Sequence, residues 1–552
     1  MTLPNRNGLL IGFCVLLVCI ILVTNFIELG TVPRGLNIDE AGLAYDAWSI
    51  SQTGYDSYLH RLPVYLSNRG DGMSPLYAYL AIPLIRIFGP STSVIRIPAA
   101  LFSLLTLLAG AALVRMQWPK RRLPLLLYLF LFATVPYFTM YARVALDCIL
   151  FLPLSTALVA LIIHALRSEN PCWWAIGVLA GITLYSYATS WIILPLFLLV
   201  LCCYLASIKR LSWTDALQLW IPFIIVAIPL LGFLSINLFG RETLAVGPFT
   251  IPRLLNFRTH DFSFAPFHVV GFFSSLLLRD ATFLYASRWV APFYHLSIPF
   301  FIIGVFRAYQ KAMHAVKHRN VSVLFIVILW ATIYTLFSLF LNTSGMGPQM
   351  HQLNGLFFVS LFFIVLGCVA VFDWLKERDF FRIGRIGLHE IALGLFVIAY
   401  LVSFGFFVHD YFFAFPASWD QGITEKHVTG VLASLTSDLD SLGDAIAYLQ
   451  SQPPEVRNRI TYLRHVQIPE IYFLLSQEIP ASEIYLQRRI DGRVWKYRNF
   501  RFDKPQAYSL DENYIVAHWQ GEELDELHSK GFADVQRFGK YWVFSNPSTA
   551  GR

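Results

Sequence analysis

The chain has 552 residues, 56% of them hydrophobic and only 14% charged, a composition that excludes a soluble globular protein and implies many membrane crossings. Its formal net charge of +7 does not argue for a nucleic-acid partner, because Lys and Arg are needed in the loops that stay on the cytoplasmic side. Cys14, Cys19, Cys148, Cys202, Cys203 and Cys368 fall in or beside apolar runs and Cys172 at a loop edge, so neither a disulfide framework nor a metal-type spacing is present.

In chain order, residues 9–29 follow a short basic start at Arg6 and are long enough to cross a hydrocarbon core of about 30 Å. No small-residue cleavage site precedes Arg34, so this stretch reads as a retained helix with a cytoplasmic N-terminus. The mixed segment up to residue 93 contains the short apolar piece 75–88 and reads as an extracytoplasmic loop with helices at the membrane surface. Spans are expected at 94–114, 124–141, 148–166, 173–189, 191–208 and 219–238. The connectors bearing Arg115, Lys120, Arg121 and Arg122, then Arg167, then Lys209 and Arg210 alternate with connectors poor in Lys, which sets the orientation. A second outside segment covers 240–288. Further spans at 289–305, 321–341, 353–374 and 388–407, with basic inside loops at 307–319 and 376–385, bring the total to about eleven, an odd number that puts the C-terminus outside.

From residue 409 the charge rises and the apolar runs shorten. Residues 432–450 have helical spacing, 460–463, 483–486 and 514–517 read as strands, and 522–529 as a helix capped by Gly531. A hairpin, 535–538 with 541–544, turns at Gly539 and Lys540. The expected division is a membrane domain, 1–408, and a small soluble extracytoplasmic α/β domain, 409–552.

Chemistry is expected around residues 36–50. Asn37 caps a helix, and Glu40, three residues on, is placed to reach back to the cap's own N–H. Ile38, Ala41, Tyr45 and Trp48 form an apolar stripe, while Asp39 and Asp46, seven apart, share another face. Acids near a membrane boundary can deprotonate an acceptor or hold a cation; acids in a helix's first turn are also favoured by its dipole. Arg143 and Asp147, four apart at a span junction on the same membrane face, form either a local helical pair or a phosphate ligand with a second carboxylate. His351 and Gln352, in a polar outside loop entering a span, can hydrogen-bond a phosphate or sugar, or cap the helix. Arg279 and Arg288 are candidate phosphate ligands or cations that snorkel to headgroups. His60 with Asp56, Asp71 and Asp39 has no spacing that specifies a metal. Tyr45 and Tyr77 are candidates to line a substrate, with His60 and Asp46.

The acid pair after the first span, then Gly72, Met73, Ser74, Pro75, Leu76 and Tyr77, then Phe88, Gly89, Pro90 and Ser91 before Arg96, Ile97 and Pro98, then Arg143 to Asp147, resembles the GT-C membrane glycosyltransferases. Within that superfamily the resemblance is to aminoarabinose transferases and protein O-mannosyltransferases, over about residues 9–407. It implies a multi-pass GT-C fold and inverting transfer of a sugar from a polyprenyl-phosphate carrier to an extracytoplasmic glycan, lipid or protein, at a bacterial plasma membrane. Asp39 then falls at the family's catalytic acid, with Glu40 beside it. Asp147 matches the acid of the second outside loop, and Arg143 is the candidate for the donor phosphate. The chain departs from the aminoarabinose transferases at Gly42, where they have an Arg, and at Met73, near their Lys. His351 and Gln352 stand where many relatives have Asn and Arg. No cofactor is expected to be required, and a divalent cation, Mg²⁺ or Mn²⁺, is left open. A transporter or flippase for a lipid-linked sugar would instead need ionisable residues in mid-span, and a non-catalytic scaffold would leave Asp39 replaceable.

Overall fold

The computed structural model describes residues 6–257, 261–262, 266–278, 290–342, 348–378, 382–383, 386–416, 436–437, 439–464, 468–484, 494–517 and 521–546. Helix α1 (Arg6–Phe26) leads to α2 (Ile38–Thr53), the short α3 (Leu76–Phe88) and the long α4 (Thr92–Gln117). A pair, α5 (Leu123–Thr134) and α6 (Pro136–Tyr141), stands where one span was expected. Pro136 has no N–H to continue the ladder, so the chain steps out to extended backbone at Val135 and restarts. Then come α7 (Phe151–Ala165), α8 (Trp173–Thr183), α9 (Ser190–Ser207), α10 (Trp213–Leu238), α11 (Pro266–Phe273), α12 (Ser297–Lys317), α13 (Val323–Phe340), α14 (Asn354–Glu377) and α15 (Leu388–His409).

Among the described residues, seven helical segments are long and apolar enough to cross a membrane: Thr92–Gln117, Asp147–Ala165, Ser190–Ser207, Trp213–Leu238, Val323–Phe340, Met350–Glu377 and Leu388–Ala414. The other expected spans fall on α1, α5, α8 and α12. The apolar parts of the first three are short, at Leu10–Phe26, Leu123–Thr134 and Trp173–Thr183. Helix α12 starts later than expected and continues through the residues read as a basic loop. Ala308, Ala312 and Ala315 keep a small buried stripe while Arg307, Lys311 and Lys317 stay outside it, so helical periodicity overrides the loop reading.

Helix α14 forms the centre, with a continuous buried run from Asn354 to Val369. It meets α12 at backbone distance: a Cβ on Gly304 would sit 1.8 Å from the Phe363 carbonyl oxygen, and one on Gly367 1.9 Å from that of Phe300. Two facing glycines thus allow the close approach that small residues give helices in lipid.

After α15 the chain forms a six-stranded sheet in the order Lys496–Tyr497, Phe500–Arg501, Thr461–Arg464, Asn513–Ala517, Tyr541–Ser545, Asp534–Phe538. Thr461–Arg464 is parallel to both neighbours and the remaining pairs are antiparallel. The closing hairpin turns through Gly539 at φ +52°, a conformation glycine adopts without penalty. Of the strand expected at 483–486, residues 483 and 484 belong instead to a helical turn, Ala481–Ile484, and 485–486 lie outside the described residues; Pro480 opens the turn by accepting the Glu483 N–H, 3.0 Å.

This sheet region rests on the face of the bundle that carries residues 36–50. Leu36–Asn37 pair antiparallel with Thr436–Ser437, helix Pro469–Ser476 packs on α2, and the Tyr45 hydroxyl donates to the Ile479 carbonyl, 2.9 Å.

Candidate active site

The cap of α2 forms as its sequence implies: the Glu40 N–H donates to Asn37 Oδ1, 2.7 Å, and the Asn37 N–H to Glu40 Oε2, 3.1 Å. Glu40 does more than cap. It is fully buried and receives Arg96 Nε at 3.1 Å, Arg96 Nη2 at 3.2 Å and the Ala145 N–H at 2.8 Å. One carboxylate therefore fastens α2 to α4 and to the segment leading into Asp147. With its oxygens so engaged, Glu40 is a structural joint, which extends the expected capping role and leaves no free oxygen for the expected catalytic one.

Arg143 also departs from its expected role. It is fully buried, and all three guanidinium nitrogens donate to main-chain carbonyls: Nη1 to Thr24 at 2.6 Å, Nη2 to Ile27 at 2.7 Å and Glu28 at 3.0 Å, and Nε to Val32 at 3.0 Å. Arg96 does the same for Leu29, Pro33 and Gly35. Two arginines thus hold the connector between α1 and α2, satisfying carbonyls that would otherwise be buried without donors. Neither presents a fork to a phosphate.

Asp39 and Asp147 are brought together. Asp39 is 41% exposed in its side chain. Asp147, half-buried, accepts the Ser74 N–H at Oδ2, 3.1 Å, and the Cys148 N–H at Oδ1, 2.7 Å. The two carboxylates lie close enough for the charge of Asp39 to act on Asp147. Tyr65 and Tyr187 both lie within reach of the Asp147 charge, and His351 stands edge-on to Tyr187, ring centres 6.4 Å apart. From the sheet region, buried Tyr472 reaches the fields of Asp39 and Arg69.

Arg69 is a site residue that sequence reasoning missed. Its Nη2 pairs with Asp39 Oδ1. It sits at φ +53° in the turn Asn68–Gly70, whose base is closed by reciprocal hydrogen bonds between Leu66 and Met73, 3.1 and 3.0 Å. Gly42 supplies the complementary space on α2: a Cβ there would lie 2.4 Å from Asn68 Oδ1. The residue that replaces an Arg of the resembled family is therefore the one that lets another Arg approach. The available signal was a lone cation in the run Ser67, Asn68, Arg69, Gly70, Asp71, Gly72, a turn composition that presents its central side chain.

Between this turn, α2 and helix Pro469–Ser476 lies a cleft of about 240 Å³, lined by Tyr45, Asn68, Arg69, Asp71, Glu470 and Leu474 among others. The remaining expected residues are placed as follows. Asp46 meets the same loop as Asp39, as their shared face implied, but is fully buried and accepts the Ser57 N–H, 2.8 Å. Tyr77 is buried with its hydroxyl on the Ile95 carbonyl, 2.9 Å, so it is core and not a substrate contact. Gln352 caps its own turn, accepting the Gln349 N–H at 2.9 Å. His60 meets Ser67 at 2.9 Å and Asp56 at 3.3 Å, both through Nδ1. Arg279 and Arg288 lie outside the described residues. Among the described residues no group of three or more His, Cys, Asp or Glu is arranged to hold a metal ion.

No protein-family model matches the chain, and no curated protein matches it. Solved structures do. The aminoarabinose transferase ArnT from Cupriavidus metallidurans in the apo state superposes with a TM-score of 0.52 at 13% identity, over 97% of this chain and 99% of that one. The same protein bound to undecaprenyl phosphate gives 0.51 at 12% identity, over 98% of each chain. The archaeal oligosaccharyltransferase AglB from Archaeoglobus fulgidus, in complex with an inhibitory peptide and a dolichol phosphate, aligns at a TM-score of 0.48 and 11% identity, over 84% of this chain and 63% of its own. The chain therefore has the multi-helix membrane fold of ArnT, its C-terminal sheet region included.

Proposed function

We propose that a membrane chain with this fold transfers a sugar from a polyprenyl-phosphate donor to an acceptor hydroxyl outside the cytoplasm, in a bacterial plasma membrane. The observation that carries this reading is the meeting of Asp39, Asp147 and Arg69 on the face of the bundle beneath the sheet region. In this reading that face is extracytoplasmic, residues 1–408 are the catalytic domain, and 409–552 are a soluble domain that closes over the site. The ArnT structure with undecaprenyl phosphate supports a lipid-phosphate donor for a chain of the same fold.

The donor brings its own leaving group, so the protein has two tasks: to take a proton from the acceptor and to steady negative charge on the departing phosphate. Asp39 is the base. As the acceptor oxygen bonds to the anomeric carbon, its proton passes to Asp39. The bond from that carbon to the phosphate oxygen breaks, and its electron pair leaves with the polyprenyl phosphate. Attack from the face opposite the phosphate inverts the anomeric centre in one step. Asp147, fixed by two main-chain N–H groups, orients the acceptor. Tyr65, Tyr187 and His351 wall the sugar, and Tyr45 borders the cleft through which the acceptor enters.

The test is incubation of the purified chain in nanodiscs with radiolabelled undecaprenyl-phosphate sugars and an envelope extract. Labelled product with stoichiometric release of undecaprenyl phosphate supports the reading. Vesicle experiments in which labelled lipid-linked sugar crosses the bilayer without cleavage would replace it with a flippase.

A further inference from the structure

We infer that Arg69 is a donor-controlled lock on Asp39. Without donor its guanidinium holds Asp39; the phosphate of an incoming lipid-linked sugar draws the guanidinium away and leaves the carboxylate open to the acceptor hydroxyl. The inference rests on the transferase reading above and adds an order of events to it.

The contact itself closes one oxygen of the base, since Arg69 Nη2 lies on Asp39 Oδ1. Both partners are partly exposed, 25% and 41% in their side chains, and an ion pair so placed is held only weakly. A phosphate offers the planar guanidinium two acceptor oxygens at once, so exchange is favoured when one arrives. One donor of the fork is unsatisfied: Arg69 Nε, a buried atom, has no hydrogen-bond partner among the described residues.

Exchange asks for side-chain rotation alone, because the backbone of the turn is fixed on three sides. The Leu66 and Met73 bonds close its base, the Asn256 N–H donates to the Gly70 carbonyl at 2.9 Å, and Asn68 packs against Gly42. The neighbouring arginines offer no substitute, since Arg143 is bound to carbonyls and Arg96 to carbonyls and Glu40. The position of Arg69 beside both the base and the cleft makes donor binding and base release one event.

The lock makes a prediction that a structural salt bridge does not: removing Asp39 should improve phosphate binding. Undecaprenyl phosphate is titrated onto the full chain in nanodiscs, with undecaprenol as the control that lacks the phosphate, and the dissociation constant is read for wild type, Asp39→Asn, Arg69→Gln and the double variant. Asp39→Asn is expected to tighten undecaprenyl phosphate about threefold or more, and Arg69→Gln to weaken it about tenfold, the effect of a lost charge-assisted hydrogen bond. The double variant should bind like Arg69→Gln, and undecaprenol should bind all four alike. Unchanged or weaker binding by Asp39→Asn overturns the lock, as does an Arg69→Gln loss that undecaprenol shares. The readout needs no turnover: the expected pattern in a protein that transfers no sugar supports the exchange and counts against the transferase reading.

Discussion

Asp39 and Glu40 are adjacent in the chain, yet one is 41% exposed beside a cleft and the other is wholly buried against Arg96. Their consequences on substitution should separate accordingly. Removing one partner of a buried pair leaves an uncompensated charge, at a cost of about 3–5 kcal/mol. Arg96→Met is therefore expected to lower the thermal midpoint of the purified chain markedly, while Asp39→Asn leaves it within error; equal shifts would mean that Glu40 is not the joint described. Arg69, paired with Asp39 and bordering the cleft, supplies a cation at the site, so sugar transfer is expected to survive EDTA. Loss with EDTA and recovery with Mg²⁺ or Mn²⁺ would assign that charge to a metal. The cap of Glu40 was legible because a capping box is a local pattern of four residues. Its bond to Arg96, 56 positions away, was not, because sequence spacing carries no information on which spans touch. The same blindness misassigned Arg143, whose partners are main-chain carbonyls, groups every residue has.

At the scale of elements, most helices lie where hydrophobic runs place them, since length and apolarity are properties of the run itself. The failures are informative. Pro136 cuts an expected span in two, and α12 extends past its apolar half because alanines keep the stripe. The contact between α12 and α14 depends on Gly304 and Gly367, which sequence alone does not pair. Gly304→Val is expected to force the helices apart, since its Cβ would overlap the Phe363 carbonyl, and to cost stability in the range of core overpacking, about 1–3 kcal/mol or more. A midpoint equal to wild type would contradict the backbone-distance packing. In α2 the i, i+7 relation of Asp39 and Asp46 did identify the face that meets the loop 54–73. It could not say that Asp46 would be buried under that loop while Asp39 would meet its tip.

For the molecule as a whole, the membrane character was legible from composition and the sheet-bearing tail from residue patterning, but the partnership between them was not. The tail showed no catalytic constellation in its own sequence, yet Tyr472 lies in the field of Asp39 and Glu470 lines the cleft; a domain that only completes a wall has no motif to display. Its side of the membrane is testable: with the native cysteines replaced, Asp511→Cys, at an exposed position, is expected to react with an impermeant maleimide on intact spheroplasts. Labelling only after lysis would reverse the orientation. The central claim is that Asp39 is the base for transfer from a lipid phosphate. It is tested most directly by the initial rate of labelled-sugar transfer for Asp39→Asn against wild type at equal folded concentration in nanodiscs. A fall of about 10²–10⁴-fold is predicted, the contribution of a positioned general base, and a rate equal to wild type would contradict it.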